Sequence, residues 1–387
     1  MTWDKILRSL DDQENRSAVL CSVDFSKSFS RCSYQEILSA YAALHASQWT
    51  IGMHAAFLSG RKMSVKIGSC LSEPLSVTGG AVQGSILGVM DHNAVLEDID
   101  NRLPDKTMQK YVDDATITEC IKKAQCEPAD PASETVTVRA REIEDSFAEI
   151  ERQCDRKGLK VNESKTKILP IDNATTKTQA WIQTPDGQTI ESDEELKLLG
   201  FVFSKKPNCN AQIKNLLHRA SARFYVLKYY SSFMPGSELI TLYDSLVRSV
   251  LEYSSVIYGP MITRYQVNEL ERFQKRCLKC IFGYDKKYSE ILEISGLPTL
   301  ENRREVAMLK FADKTSQNDN YSHLFPRFDH QRQLRHQKTF VEEFARTERL
   351  YKSPLFKYRR MLNETPDRQF ASEKLLDLDH LFNDPFD

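Results

Sequence analysis

The sequence predicts an α+β fold: an antiparallel sheet with flanking helices, followed by an almost all-helical region. Three observations carry that prediction. Short apolar or alternating runs interleave with amphipathic stretches up to about residue 208. Turn-forming pairs and triplets, Gly68-Ser69, Val112-Asp113-Asp114 and Asp186-Gly187, join consecutive runs as tight hairpins. After residue 208 the spacing becomes helical and stays so, which segregates the helices from the sheet.

The elements follow in chain order. Ala18 to Val23 is a mostly apolar run, a buried strand that delivers Asp24 at its carboxyl end. Ser33 and Glu36 form a capping box for a helix from Tyr34 to Ala46, and a second helix covers Trp49 to Leu58. Met63, Val65 and Ile67, then Leu75 and Val77, alternate with polar residues around Gly68-Ser69 and predict a hairpin. Gly79-Gly80 breaks the chain before a helix from Ser85 to Arg102. Gln109 to Tyr111 and Ala115 to Cys120 flank the turn at Asp113-Asp114. The stretch Gln125 to Glu134, with Pro128 and Pro131, reads as a loop. A long helix is expected from Thr135 to Lys157, striped by Ile143, Phe147, Ile150 and Cys154 and ended by Gly158. Lys165 to Ile171 is a strand, Trp181 to Ile190 a hairpin, and Leu196 to Phe203 one further strand. Helices then cover Gln212–Tyr229, Gly236–Ser254, Thr263–Phe282, Tyr288–Ser295 and Leu300–Lys314. Gln331 to Leu350 reads as a basic helix, and Phe382 to Asp387 as a disordered end.

Composition excludes several classes. No apolar run approaches the roughly 18 residues of a membrane span, and the polar start, Met1 to Arg16, lacks the apolar centre of a signal peptide. Nine scattered cysteines fit free thiols in a reducing compartment, so an intracellular location, cytoplasm or nucleus, is expected. Cys277 and Cys280 lie on one helix face and read as structural thiols more than as half of a zinc site. The net charge of −1 conceals an asymmetry: residues 1–200 carry −8 and residues 201–387 carry +7. An acidic front fits a site that collects metal ions, and a basic back fits a surface that tracks phosphates. Ordinary solvated surface accounts for the same charges equally well.

Asp24 and Asp113-Asp114 are ligands of the kind that phosphoryl transfer to a hydroxyl needs, because hard Mg²⁺ takes carboxylate oxygen and such sites hold two ions about 3.5–4 Å apart. They meet only if their strands are neighbours. The tetrapeptide Tyr111-Val112-Asp113-Asp114 is weak alone: that pattern arises by chance in roughly 5% of chains this long, and acids in hairpins are usually turn formers.

The order of further motifs is more specific. Val23-Asp24-Phe25-Ser26-Lys27-Ser28-Phe29 resembles motif A of the reverse transcriptases of non-LTR retrotransposons. Gly80-Ala81-Val82-Gln83-Gly84-Ser85-Ile86-Leu87-Gly88 resembles motif B, and Tyr111-Val112-Asp113-Asp114 motif C. Gly158-Leu159-Lys160-Val161-Asn162 with Ser164-Lys165-Thr166-Lys167 resembles motif D, and Leu198-Leu199-Gly200-Phe201 motif E, the primer grip. All five stand in the family's order, and Phe57-Leu58-Ser59-Gly60-Arg61-Lys62 also looks like a segment these elements carry between A and B. The likeness continues through Leu242-Tyr243, Leu251-Glu252-Tyr253-Ser254 and Leu297-Pro298 to about residue 325.

The resemblance implies a palm with residual fingers over residues 1–207, a helical thumb-like domain over 208–325, and a basic helical extension over 326–387. It implies RNA-directed DNA polymerisation with two Mg²⁺ ions, Mn²⁺ being the alternative ion, on an RNA template, a DNA primer and deoxynucleoside triphosphates. Asp24, Asp113 and Asp114 would be the catalytic metal ligands, with the backbone carbonyl of Phe25 completing one shell. Phe29 matches the aromatic that excludes a ribose 2′ hydroxyl, against the plain reading of a core ring. Gln83 would lie at the incoming nucleotide and Lys165 near the leaving pyrophosphate, with Lys167 its rival and a solvated lysine the plain reading. Gly84 and Ser85, and Leu199 and Gly200, would touch template and primer. Basic residues such as Arg219, Arg223, Lys228, Arg272, Lys275, Arg276 and Lys279 would face a duplex through its phosphates, or simply solvent.

The sequence departs from the family in several places. Ser30 stands where a second Asp is usual, and Val82 replaces the motif B proline. Asp91, His92, Asn93 and Glu97 interrupt an expected apolar run, and His92 reads as a surface or capping residue. Only residues 1–23 precede Asp24, so most of the fingers and their triphosphate-gripping cations are expected to be missing. Weak primer extension with preserved, salt-sensitive hybrid binding follows from that expectation. The alternative function is a catalytically inactive palm–thumb remnant that only binds RNA or a template–primer hybrid.

Overall fold

The computed structural model describes residues 2–100, 108–126, 135–172, 177–328 and 338–365. Helix α1 (Thr2–Asp11) leads into strand β1 (Asn15–Val23). A helical turn α2 (Ser28–Arg31) follows, then α3 (Tyr34–Ala43) and α4 (Gln48–Leu58). Short strands β2 (Lys62–Met63), β3 (Lys66–Ile67), β4 (Cys70–Leu71) and β5 (Leu75–Ser76) form the predicted hairpin arm, β2 pairing with β5 and β3 with β4. Helix α5 (Ile86–Asp100) precedes β6 (Gln109–Tyr111) and β7 (Asp114–Lys122). Next come β8 (Thr135–Arg139), α6 (Arg141–Arg156), β9 (Lys167–Asp172), β10 (Lys177–Gln183), β11 (Thr189–Glu191), β12 (Glu195–Leu198) and β13 (Phe201–Ser204).

The principal sheet is antiparallel, in the order β6-β7-β1-β9. Because side chains alternate across a strand, central β1 feeds two cores. Val19, Cys21 and Val23 join Ile37, Val95, Ile99 and the Ile143–Phe147–Ile150 stripe of α6 on one face. Ala18 and Leu20 join Trp3, Ile6, Leu7 and Leu10 of α1 and the helical region on the other. That two-sided burial is why the run Ala18–Val23 carries so little polar character.

The helical region holds α7 (Asn210–Tyr230), α8 (Gly236–Tyr243), α9 (Ser249–Leu251), α10 (Ser255–Tyr258), α11 (Arg264–Phe282), α12 (Tyr288–Ser295) and α13 (Leu300–Ser316). Two short helices close the described chain, α14 (Glu348–Tyr351) and α15 (Pro354–Glu364). Met308, Ala312, Phe325, Phe340 and Tyr358 form a third, smaller core.

Several expectations change. Helix α1 was not anticipated, although Trp3, Ile6, Leu7 and Leu10 recur at helical spacing. The predicted helix from Thr135 begins instead as β8, whose β-branched run Thr135 to Val138 pairs in parallel with β10. Leu196 to Phe203 is a hairpin of two strands turning at Leu199-Gly200, with φ of 47° and 78°. The helix expected over 236–254 contains a π turn, Asp244–Arg248, and ends where Ser254 enters the left-handed region. There the Tyr258 hydroxyl takes the Leu251 carbonyl at 2.5 Å, a bond that continued helix would have needed. Within Gln331 to Leu350, residues 338–347 are not helical. The loop residues 127–134, Arg102, residues 331–337 and the carboxyl end lie outside the described residues.

Candidate active site

Adjacent antiparallel strands bring the acidic motifs to one end of the sheet. Val23 of β1 pairs with Ala115 of β7, so Asp24 leaves β1 where Asp114 enters β7. Tyr111 pairs with Asp114 across a two-residue turn whose first member, Val112, has φ 57°. A β-branched residue in that region carries strain of roughly 1–3 kcal/mol. Lys27 and Leu199 also have positive φ, so three of the five such non-glycine residues among the described residues fall in the motif A, C and E segments.

Asp113 is exposed, Asp24 and Asp114 half-buried. Burial, then the charges of Asp113 and Asp24, push the Asp114 carboxyl above its ordinary range. One cation stands close: Lys165 Nζ lies 4.0 Å from Asp24 Oδ2. Lys165 is well exposed and Asp24 only half-buried, so the pair is worth less than about 1 kcal/mol and does not tie Lys165 down. Its rival Lys167 points to Asp193 at 3.3 Å instead. The segment carrying Lys165 is fastened to motif A by backbone bonds, Ser26 N–H to Lys160 O (2.8 Å) and Asn162 N–H to Asp24 O (2.7 Å), with Phe25 bridging Val161.

A divalent ion fits this chemistry. Three hard carboxylates repel one another, and one of them is already driven toward protonation. They spread wider than the trio Glu151, Glu163 and Asp186, whose donor atoms lie within 4.8 Å and which is the one such group among the described residues. That trio lies on α6 and the loops after α6 and β10 and shares no residue with the motifs.

The motif B loop presents Gln83 and Gly84 at the surface, Gly84 with φ 87°. Ser85 immediately precedes α5, its Oγ accepting from Gly88 N–H at 2.9 Å and donating to Val82 O. A Cβ on Gly88 would lie 2.0 Å from the Val82 carbonyl oxygen, so only glycine lets this loop fold back onto its helix. At the Leu199-Gly200 turn the Leu199 carbonyl accepts from the Tyr253 hydroxyl at 2.6 Å, and Gly200 lies beneath the same ring.

The acids of α5, which break the expected apolar run, have internal partners. Asp91 is fully buried, 2.6 Å from His54 Nδ1, with the Tyr41 hydroxyl at 3.4 Å. Burial raises the Asp91 carboxyl, while His54 pulls it back. Asp98 meets buried Lys157 at 2.6 Å, and Glu97 and Asp100 meet Lys110 of β6 at 2.5 and 3.3 Å. These pairs fasten α5 to α4, to the end of α6, and to the strand that delivers Asp113. His92 is not a surface or capping residue: it is fully buried and stacks on Phe29. Burial lowers its pKa despite the nearby Asp113 charge, which acts the other way. Sequence reasoning missed His54 and Tyr41 entirely. The only signal was the density of acids on α5. Cys277 is buried in the helical core, its thiol pushed up to about 12 by burial.

The family model described as reverse transcriptase (RNA-dependent DNA polymerase) matches residues 2–203. The chain is 24% identical over 292 residues to the probable RNA-directed DNA polymerase from transposon BS of Drosophila melanogaster, a match that takes in 71% of this chain and 30% of that protein. The chain therefore spans less than a third of that relative's length. Among solved structures it is similar to telomerase from Candida tropicalis with a TWJ fragment of telomeric RNA, at 11% identity and TM-score 0.36, over 76% of this chain and 51% of that one. The apo telomerase of the same organism matches at 10% identity and TM-score 0.38, over 79% and 47%. No helix among the described residues is long and apolar enough to cross a membrane.

Proposed function

Because the chain belongs to the reverse transcriptase (RNA-dependent DNA polymerase) family, we propose that its palm adds deoxynucleotides to a primer 3′ hydroxyl on an RNA template. The observation that supports this most is the meeting of Asp24 with Asp113-Asp114 at one sheet end, with Lys165 beside Asp24. Asp24 and Asp113 would hold two Mg²⁺ ions, supported by Asp114 and the Phe25 carbonyl. When bound, such ions lower the pKa of the attacking hydroxyl and neutralise the triphosphate.

The chain's own residues supply the rest. Lys165, weakly held, turns its ammonium to the departing pyrophosphate, where added positive charge is worth most. The loop at Gln83, Gly84 and Ser85 brings backbone close to the templating base and incoming nucleotide. Phe29 stands against the ribose 2′ position and selects deoxynucleotides by a clash. Leu199 and Gly200, held by Tyr253, seat the primer end, and proper seating of the hydroxyl contributes through orientation. The division into palm (1–207), thumb-like helices (208–325) and extension (326–387) is part of the same proposal.

The test is primer extension by the whole chain on an RNA template with Mg²⁺. Asp113→Asn is expected to reduce it by on the order of 10³-fold. Salt-sensitive hybrid binding with no Asp113-dependent extension would make the chain a binder and not a polymerase.

A further inference from the structure

Phe29 and His92 lie face to face, ring centroids 4.4 Å apart and planes within 3°. Among the described residues the imidazole has no polar occupation: His92 is fully buried, and neither ring nitrogen has a hydrogen-bond partner there. Burying an unpartnered imidazole costs stability, so its nitrogens do not account for its place, whereas its flat face does. The same segment holds the Phe29 backbone. The Phe29 carbonyl accepts from Ala81 N–H at 2.7 Å, and a Cβ on Gly80 would meet that oxygen at 3.3 Å. Segment 80–92 therefore grips Phe29 twice, at its carbonyl and on its ring. The gripping helix is itself anchored through Asp91–His54 and Asp98–Lys157.

We infer that His92 is a positioning residue for sugar selection, its ring backing Phe29 and holding it across the place of a ribose 2′ hydroxyl. This rests on the reading of Phe29 as the gate. A clash discriminates only if the clashing ring cannot yield. A phenyl ring yields by turning about its side-chain bonds, and that movement needs space behind it. His92 fills that space with a flat ring that matches the phenyl face. The substrates this excludes are ribonucleoside triphosphates.

The experiment uses the full chain on an RNA template with a DNA primer ended by a dideoxynucleotide, so that binding is read without turnover. Half-saturation of the ternary complex by dTTP and by UTP is measured in gel shifts for the parent, Phe29→Val, His92→Ala and His92→Phe. His92→Ala should lower the dTTP-over-UTP preference roughly tenfold, while the flat ring of His92→Phe should keep it within about twofold. A preference lost in Phe29→Val but kept in His92→Ala overturns the role of His92 and leaves the gate standing. An unchanged preference in Phe29→Val returns that ring to the core and removes the gate itself. Uptake of neither nucleotide by the parent overturns both. A second readout needs no nucleotide: in spectra of ¹³C-histidine-labelled protein the His92 Cε1–H, identified by its loss in His92→Phe, should be shifted upfield by Phe29 and return downfield in Phe29→Leu. A His92 signal at the ordinary position, unmoved by Phe29→Leu, overturns the stack.

Discussion

Asp114 carries the electrostatic cost of the site. Its folded-state carboxyl is raised above 3.8 by burial and by two neighbouring charges, so its ionised form is tolerated and not stabilised. For an acid raised on folding, stability is fully present below the unfolded pKa and is lost as pH rises through the folded one. Asp114→Asn should therefore raise the melting temperature of the metal-free chain at pH 7 and leave it nearly unchanged below about pH 3.8. Thermal melts with and without Mg²⁺ check this: the ion should raise the melting temperature of the parent more than that of Asp114→Asn. The acidic residues were legible in the sequence because chain order and strand ends announce them. His92 was not, since a histidine in a helix carries no mark of which face is buried. His54 was silent too, because its partner Asp91 lies 37 positions away.

Among elements, α5 and α6 show how acids inside a fold do structural work. Glu119 of β7 is buried and accepts the Ile143 N–H at the start of α6, 3.0 Å away. Burial outweighs that bond and raises its carboxyl to about 7. Its contribution to stability is full below the unfolded value near 4.5 and falls away as pH rises to about 7. Glu119→Gln keeps an acceptor for the helix end without the charge. Its stability relative to the parent, from denaturant melts at pH 5 and pH 8, should improve at the higher pH. The α6 stripe was readable from period, and the β10–β11 turn from the turn-forming pair Asp186-Gly187. Strand β8 was not, because its strand character comes from β10, about forty residues downstream, and the helix after it lent its period to the whole window. Helix α1 has a clear apolar stripe, but its polar first impression hid it.

At the scale of the molecule, the ends of the described chain are joined. Asp11 accepts from the Thr347 N–H and hydroxyl, both at 2.7 Å, and from the Arg346 N–H at 3.0 Å. Arg8 and Arg359 share Glu343. These bonds hold the Asp11 carboxyl low against the opposing effect of burial, so they stabilise above the unfolded pKa and fail as pH falls through the folded one. Asp11→Ala should cost about 1–3 kcal/mol and speed proteolytic cleavage within residues 338–365, a change read by timed digestion at neutral pH. The same closure has a consequence during synthesis. Helix α1 leaves the ribosome 335 residues before the partner that Arg8 and Asp11 require. At roughly 5–20 residues per second, that is a wait of about 17–67 s. Ala18, Leu20, Phe201 and Phe203 reach Trp3, Ile6, Leu7 and Leu10 earlier, but Leu350 and Phe356 of the same core arrive only as that interval ends. The clasp on α1 thus closes long after the helix itself is made, and until then Arg8 and Asp11 keep their charges in water.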